Sequence, residues 1–223
     1  MGDRPSVLVF DVNETLIDIE SLAPHFVGIF GDSQVLREWF GQLIMYSMTL
    51  TMSGYYVDFA SLAQAALRMT ADVHGVEVGE DDLQAFTADL RNMPPHPDVA
   101  DGLRALSAKG YRLATLTNSP PNPEGSPLER AGLADHFERQ FSVASWRVYK
   151  PSPQLYLGVA DELGVPPSEC MMVAAHAWDT IGAQAVGYLG ALITRPGNAA
   201  LPARGVPQPH VVAADVRELA ARL

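Results

Sequence analysis

A short apolar run, Val7-Leu8-Val9-Phe10, stops at a single carboxylate, Asp11. A run this short, β-branched and free of polar residues reads as a strand buried on both faces, which is the habit of parallel sheets. In open α/β sheets the carboxyl ends of the strands face the ligand crevice, so this position makes Asp11 a candidate nucleophile. The next alternate position holds Asn13, an amide where a second carboxylate would be needed for acid catalysis.

The pattern after Asp11 restricts the fold further. Residues 20–92 carry helical spacing without clear strands, as in Val35-Leu36-Trp39-Phe40-Leu43-Ile44 and Phe59-Leu62-Ala63-Ala66-Leu67. The proline-rich stretch Met93-Pro94-Pro95-His96-Pro97 then allows no regular element to continue. Beyond it helix and strand alternate. Helices are expected over Val99–Lys109, Leu128–Ala131, Pro153–Leu163, Thr180–Val186 and Val216–Leu223. Strands are expected over Arg112–Leu116, Gln140–Val143, Cys170–Val173, Leu189–Ile193 and His210–Ala213. Repeated alternation implies an α/β class, a doubly wound parallel sheet with right-handed crossovers. The helical block sits between the first strand and the rest. It is read as an inserted helical cap, residues 20–96, in an α/β core of residues 1–19 and 97–223.

A chain of 223 residues is long enough for such a core with an insert. The formal net charge of -11, with no Lys/Arg cluster, argues against a nucleic-acid partner. It also leaves recognition of any anion to a few local positive groups. Cys170 is the single cysteine, so no intrachain disulfide is possible, and it reads as a reduced, buried strand thiol. The first residues show no leader pattern, and no apolar run approaches the about 20 residues that span a bilayer. A cytoplasmic protein without a membrane partner is the expectation.

Four strand-end segments carry polar residues that a structural strand does not require: Asp11–Thr15, Thr117-Asn118-Ser119, Lys150-Pro151 and His176-Ala177-Trp178-Asp179. In a parallel sheet these loops share one edge and converge. Each has a bland alternative. Asp11 and Asp179 suit helix caps or turns, Thr117 and Asn118 suit a turn before Pro120, and Lys150 suits a solvated loop. Taken together, in this order and on successive strand ends, the bland readings require four coincidences.

The order FDVNETL, LTNS, YKPSPQLY and HAWDTIGA resembles the haloacid dehalogenase superfamily, and within it the L-2-haloacid dehalogenase branch. The resemblance spans nearly the whole chain, including the cap and its Tyr56–Phe59 segment. It implies a Rossmann-like core, no cofactor and no metal, a small-molecule carboxylate substrate and a homodimer. It also implies catalytic roles for Asp11, Thr15, Thr117, Asn118, Lys150, Tyr156 and Asp179, and His176 joins them as a titratable group beside the proposed water. Asn13, Phe40, Phe59, Ser119 and Trp178 are expected to contact substrate. In that scheme Asp11 attacks the substituted carbon and forms an ester, which water then opens. Lys150 compensates the Asp11 charge, and Asp179 orients Lys150 and activates the water.

Phosphatases of the superfamily carry a second Asp where Asn13 stands, with further carboxylates for magnesium. Here Asp179 alone remains near the last motif, a poor cage for an ion that prefers several oxygen ligands. Halide needs neither an acid nor a metal to depart. Hydrolytic dehalogenation of small (S)-2-haloacids to (R)-2-hydroxy acids is therefore the expected activity. The alternatives are ring opening of a strained cyclic amino acid, with His176 or Asn13 assisting an amine leaving group, and magnesium-dependent phosphate hydrolysis. A third is a silent fold used for interaction, which leaves Asp11, Lys150 and Asp179 unexplained. Departures from the family stand at the halide-handling positions. Phe40 falls at or beside the family's cap arginine, with Arg37 one turn earlier as a conceivable substitute. Ala174 and His176 replace a Ser and an Asn.

Overall fold

The computed structural model describes residues 4–223. Six strands form one parallel sheet in the order β3-β2-β1-β4-β5-β6. They are β1 (Val7–Phe10), β2 (Arg112–Thr117), β3 (Arg139–Ser142), β4 (Cys170–Ala174), β5 (Leu189–Ile193) and β6 (Val211–Ala213). All four β1 residues are fully buried, as an uninterrupted apolar run requires. β1 pairs with β2 on one side and β4 on the other, so the ends of three strands meet around Asp11.

Four helices follow β1: α1 (Ala23–Phe30), α2 (Val35–Met52), α3 (Phe59–His74) and α4 (Glu80–Arg91). Trp39 is the centre of their packing. It lies within 5.5 Å of Phe26 and 5.1 Å of Phe86, ring centre to ring centre, and its indole N–H donates to the Ala63 carbonyl at 3.0 Å. The Asp58 side chain caps the start of α3 by accepting the Ser61 N–H at 3.0 Å. The chain returns where it left: the Asp18 N–H donates to the Pro94 carbonyl, and the His96 N–H to that of Leu16.

The remaining helices are α5 (Val99–Ala108), α6 (Pro127–Arg130), α7 (Pro153–Leu163), α8 (Ala177–Gln184) and α9 (Val216–Arg222). The predicted α7 and β5 have the observed bounds, and most others differ by one or two residues. The exception is α8, which starts at Ala177 rather than Thr180. His176 occupies its cap position without a capping side-chain bond, so the sequence carries no start signal there. The consequence is chemical, because Trp178 and Asp179 lie in the first turn of α8. Gly182 lets α8 sit against the Lys150-Pro151 segment: an added Cβ would fall 2.4 Å from the Pro151 Cβ. No helix among the described residues is long and apolar enough to cross a membrane.

Candidate active site

Asp11 follows β1 directly, and its N–H donates to the Val173 carbonyl of β4 at 2.9 Å. Its carboxylate is buried and both oxygens are engaged. Oδ1 accepts from Lys150 Nζ at 2.7 Å, and Oδ2 accepts from the Thr15 hydroxyl at 2.7 Å. His176 Nδ1 stands 3.2 Å from the same Oδ2. The Thr15 hydroxyl in turn accepts the Ala175 N–H at 2.8 Å, which ties the loop after β1 to the end of β4.

Lys150 uses all three ammonium donors: on Asp11, on Asp179 Oδ2 at 2.7 Å and on the Leu116 carbonyl at 3.0 Å. Its own N–H donates to Asn118 Oδ1 at 3.2 Å. The Tyr156 hydroxyl donates to Asp179 Oδ1 at 2.7 Å, so neither oxygen of Asp179 is left without a donor.

His176 lies between two carboxylates and two rings. Its Nε2 is 2.7 Å from Glu14 Oε2, with the Trp178 ring 4.8 Å away on one side and the Phe40 ring 5.5 Å on the other. Glu14 was not singled out from the sequence. It takes a backbone φ of 68°, uncommon for a residue with a side chain. No pattern in one sequence marks a glutamate that turns inward. Arg195 was missed too. Its Nε and Nη2 donate to the Thr15 carbonyl at 3.1 and 3.0 Å, while its Nη1 pairs with Asp98 at 2.7 Å.

Burial favours the neutral form of every one of these groups, and at all but Asp179 neighbouring groups of opposite charge outweigh it. At Asp11 burial acts upward, but Lys150 and His176 outweigh it and hold the carboxyl well below the usual range. At His176 burial acts downward, yet the bonds to Asp11 and Glu14 raise it to about 9. Burial also opposes the charge on Lys150, and Asp11 and Asp179 raise it nonetheless. Asp179 is itself raised, by burial together with the Asp11 charge.

Other expected residues take different places. Thr117 does not reach Asp11; its hydroxyl accepts the Ser119 N–H at 3.1 Å and the residue lines a separate cavity with Ser119 and Phe141. The turn to Pro120 claims the side chain. Ser119 accepts the Asn13 amide at 3.0 Å. Arg37 does not substitute for a cap arginine at the nucleophile. It is drawn away by Glu14 and Glu20, and it donates to the Pro196 carbonyl at 2.8 Å. Beside Asp11 a cavity of about 10 Å³ is lined by Asn13, Phe40, Ile44, Phe59, Asn118, His176 and Trp178. That is room for roughly one water molecule.

The superfamily's magnesium does not fit this donor set. Lys150 Nζ already takes one oxygen of Asp11 and one of Asp179, Tyr156 takes the other oxygen of Asp179, and Asn13 supplies no charge.

Fold and site together describe a hydrolase of the parallel α/β class. A family model of haloacid dehalogenase-like hydrolases matches residues 5–187, and the chain belongs to that family. It is 31% identical over 196 residues to an (S)-2-haloacid dehalogenase of Xanthobacter autotrophicus, spanning 87% of this chain and 77% of the relative. It is 30% identical to haloacetate dehalogenase H-2 of Moraxella sp. strain B, spanning 86% of this chain and 87% of that one. Among solved structures, the L-2-haloacid dehalogenase of Xanthobacter autotrophicus with chloropropionic acid covalently bound superposes with a TM-score of 0.86. It is 25% identical, with 97% of each chain covered.

Proposed function

We propose that the protein is a metal-independent hydrolase that converts small (S)-2-haloacids to (R)-2-hydroxy acids through an ester on Asp11. The observation that carries this reading is Lys150, whose buried ammonium bridges Asp11 and Asp179 and keeps Asp11 ionised although it is buried. The substrate class is that of the (S)-2-haloacid dehalogenases to which the chain is similar.

In the first step Asp11 attacks C2, the carbon–halogen bond breaks, and halide leaves with the electron pair as C2 inverts. The ester removes the charge of Asp11, so His176 keeps one carboxylate partner instead of two and releases a proton to solvent. Neutral His176, its Nε2–H on Glu14, is then the base. Water adds to Cγ of the ester as its proton passes to Nδ1, and Lys150 balances the oxyanion. Collapse breaks the Cγ–O(alkyl) bond. The departing alkoxide takes the proton of the newly added hydroxyl, leaving Asp11 as carboxylate and His176 as imidazolium.

Asp179, with both oxygens occupied, orients Lys150 rather than water, and Tyr156 steadies it. Thr15 aligns Asp11. Asn13, Asn118 and Trp178 receive the substrate carboxylate and the halide, and Phe40 and Phe59 form the apolar wall. Residues 20–96 act as a cap on the core of residues 1–19 and 97–223. The protein is placed in the cytoplasm as a homodimer, with the outer face of α2 as the contact.

The test is incubation with (S)-2-chloropropionate in EDTA, reading free chloride and the intact protein mass. Chloride release is expected without added metal, and Asp11→Asn is expected to lower it by about a thousandfold or more. Magnesium-dependent turnover of p-nitrophenyl phosphate without chloride release overturns the reading. One observation favours a second substrate: an imidazolium beside Asp11 can protonate an amine leaving group. A strained cyclic amino acid therefore belongs in the same screen, and ring opening with no chloride release selects it.

A further inference from the structure

Arg37 stands on α2, outside the reaction cavity, yet it closes a chain of contacts that ends on the nucleophile. Its guanidinium donates to Glu14 Oε1, to Glu20 Oε1 and to the Pro196 carbonyl. Asn198 Nδ2 donates to the same Glu14 Oε1 at 2.7 Å. The other oxygen of Glu14 faces His176 Nε2. Glu14 thus has one oxygen held by groups from α2 and from the loop after β5, and the second committed to the imidazole. Its side chain is 2% exposed, against 28% for Arg37. The 196–198 loop is shaped around the guanidinium: an added Cβ on Gly197 would fall 2.9 Å from Arg37 Cζ.

Resting on the reading of His176 as the base for ester hydrolysis, we infer that Arg37 is a positioning residue that acts through Glu14 and sets how readily His176 gives up its proton. A buried carboxylate with no other partner would hold the imidazolium tightly and leave a base that is rarely free. Arg37 shares the Glu14 charge and loosens that hold. The remaining groups around His176 cannot take its place. The loop after β1 contributes Asp11 and Glu14, while Lys150 and the α8 residue Asp179 stand beyond Asp11. His96 meets the Glu14 carbonyl, Glu20 shares the guanidinium, and Phe40 and Trp178 are uncharged. Because Arg37 comes from the inserted helices, the base is tuned when those helices sit on the core.

The experiment follows formation and decay of the Asp11 ester by rapid-quench mass spectrometry, with (S)-2-chloropropionate in EDTA across a pH series. Arg37→Gln is expected to slow ester decay more than ester formation. The pH midpoint of decay should rise by about one unit or more, and Arg37→Lys should restore most of it. Asn198→Ala, which removes a neutral donor from the same oxygen, should shift it less in the same direction. An unchanged midpoint in Arg37→Gln, with formation and decay slowed alike, overturns the inference and leaves Arg37 as a structural tie. If wild-type protein forms no ester at all, the proposed function itself fails, which is a separate and visible outcome.

Discussion

At the scale of single residues, charge alternates along one line of contacts: Asp179, Lys150, Asp11, His176, Glu14, Arg37. Each inner member has two partners of opposite sign, which is how so many ionised groups are tolerated away from water. Removing one leaves its neighbours exposed to the full cost of burial. His176→Leu is therefore expected to slow hydrolysis by about 10²–10⁴ while alkylation continues, so that the ester accumulates as a measurable mass increase. The same histidine gives a pH signature. Folded, it holds its proton to about 9 against the 6.5 of an ordinary histidine. Its stabilising contribution is complete below 6.5 and is lost as pH rises through 9. The melting temperature of wild type relative to His176→Asn should decline across that window. Most of this line was legible in the sequence, because Asp11, Lys150, His176 and Asp179 all follow strand ends. Glu14 was not, since its inward turn depends on a backbone angle and on partners 23, 162 and 184 residues distant in sequence.

Between elements, the geometry of the nucleophile loop rests on a second buried pair. Arg195, just past β5, grips the Thr15 carbonyl and both oxygens of Asp98, and Asp98 also accepts the Val216 N–H at the start of α9 at 2.9 Å. One contact set therefore registers β1, α5, β5 and α9. Asp98→Ala strands the guanidinium, and a loss of about 3–5 kcal/mol in unfolding free energy is expected from urea melts. The strands and helices themselves were readable from apolar spacing, because each element must bury one face. Which of them would be joined by a buried ion pair was not, since Asp98 and Arg195 lie 97 residues apart and nothing local in the sequence links them.

For the molecule as a whole, the sheet order explains why the chemistry gathers where it does: β1 is flanked by the two strands whose loops carry Asn118 and His176. That convergence followed from the strand–helix alternation alone. The contact of the proposed homodimer did not. α2 exposes Met45, Tyr46 and Met52, with Tyr55 just beyond, interspersed with Glu38 and Thr49. If the proposed homodimer forms through α2, Met45→Glu with Met52→Glu is expected to lower the mass read by light scattering from two chains to one, with little change in melting behaviour of the single subunit. The small cavity beside Asp11 has a consequence of another kind. A halide expelled there leaves against the Phe40, Phe59 and Trp178 side chains rather than into open water. It stays within reach of the carbon it left and can attack it again, reforming the starting haloacid. The net yield of each encounter is then a race between escape of the anion and arrival of water, so the enclosure that protects the ester also makes its formation reversible in place.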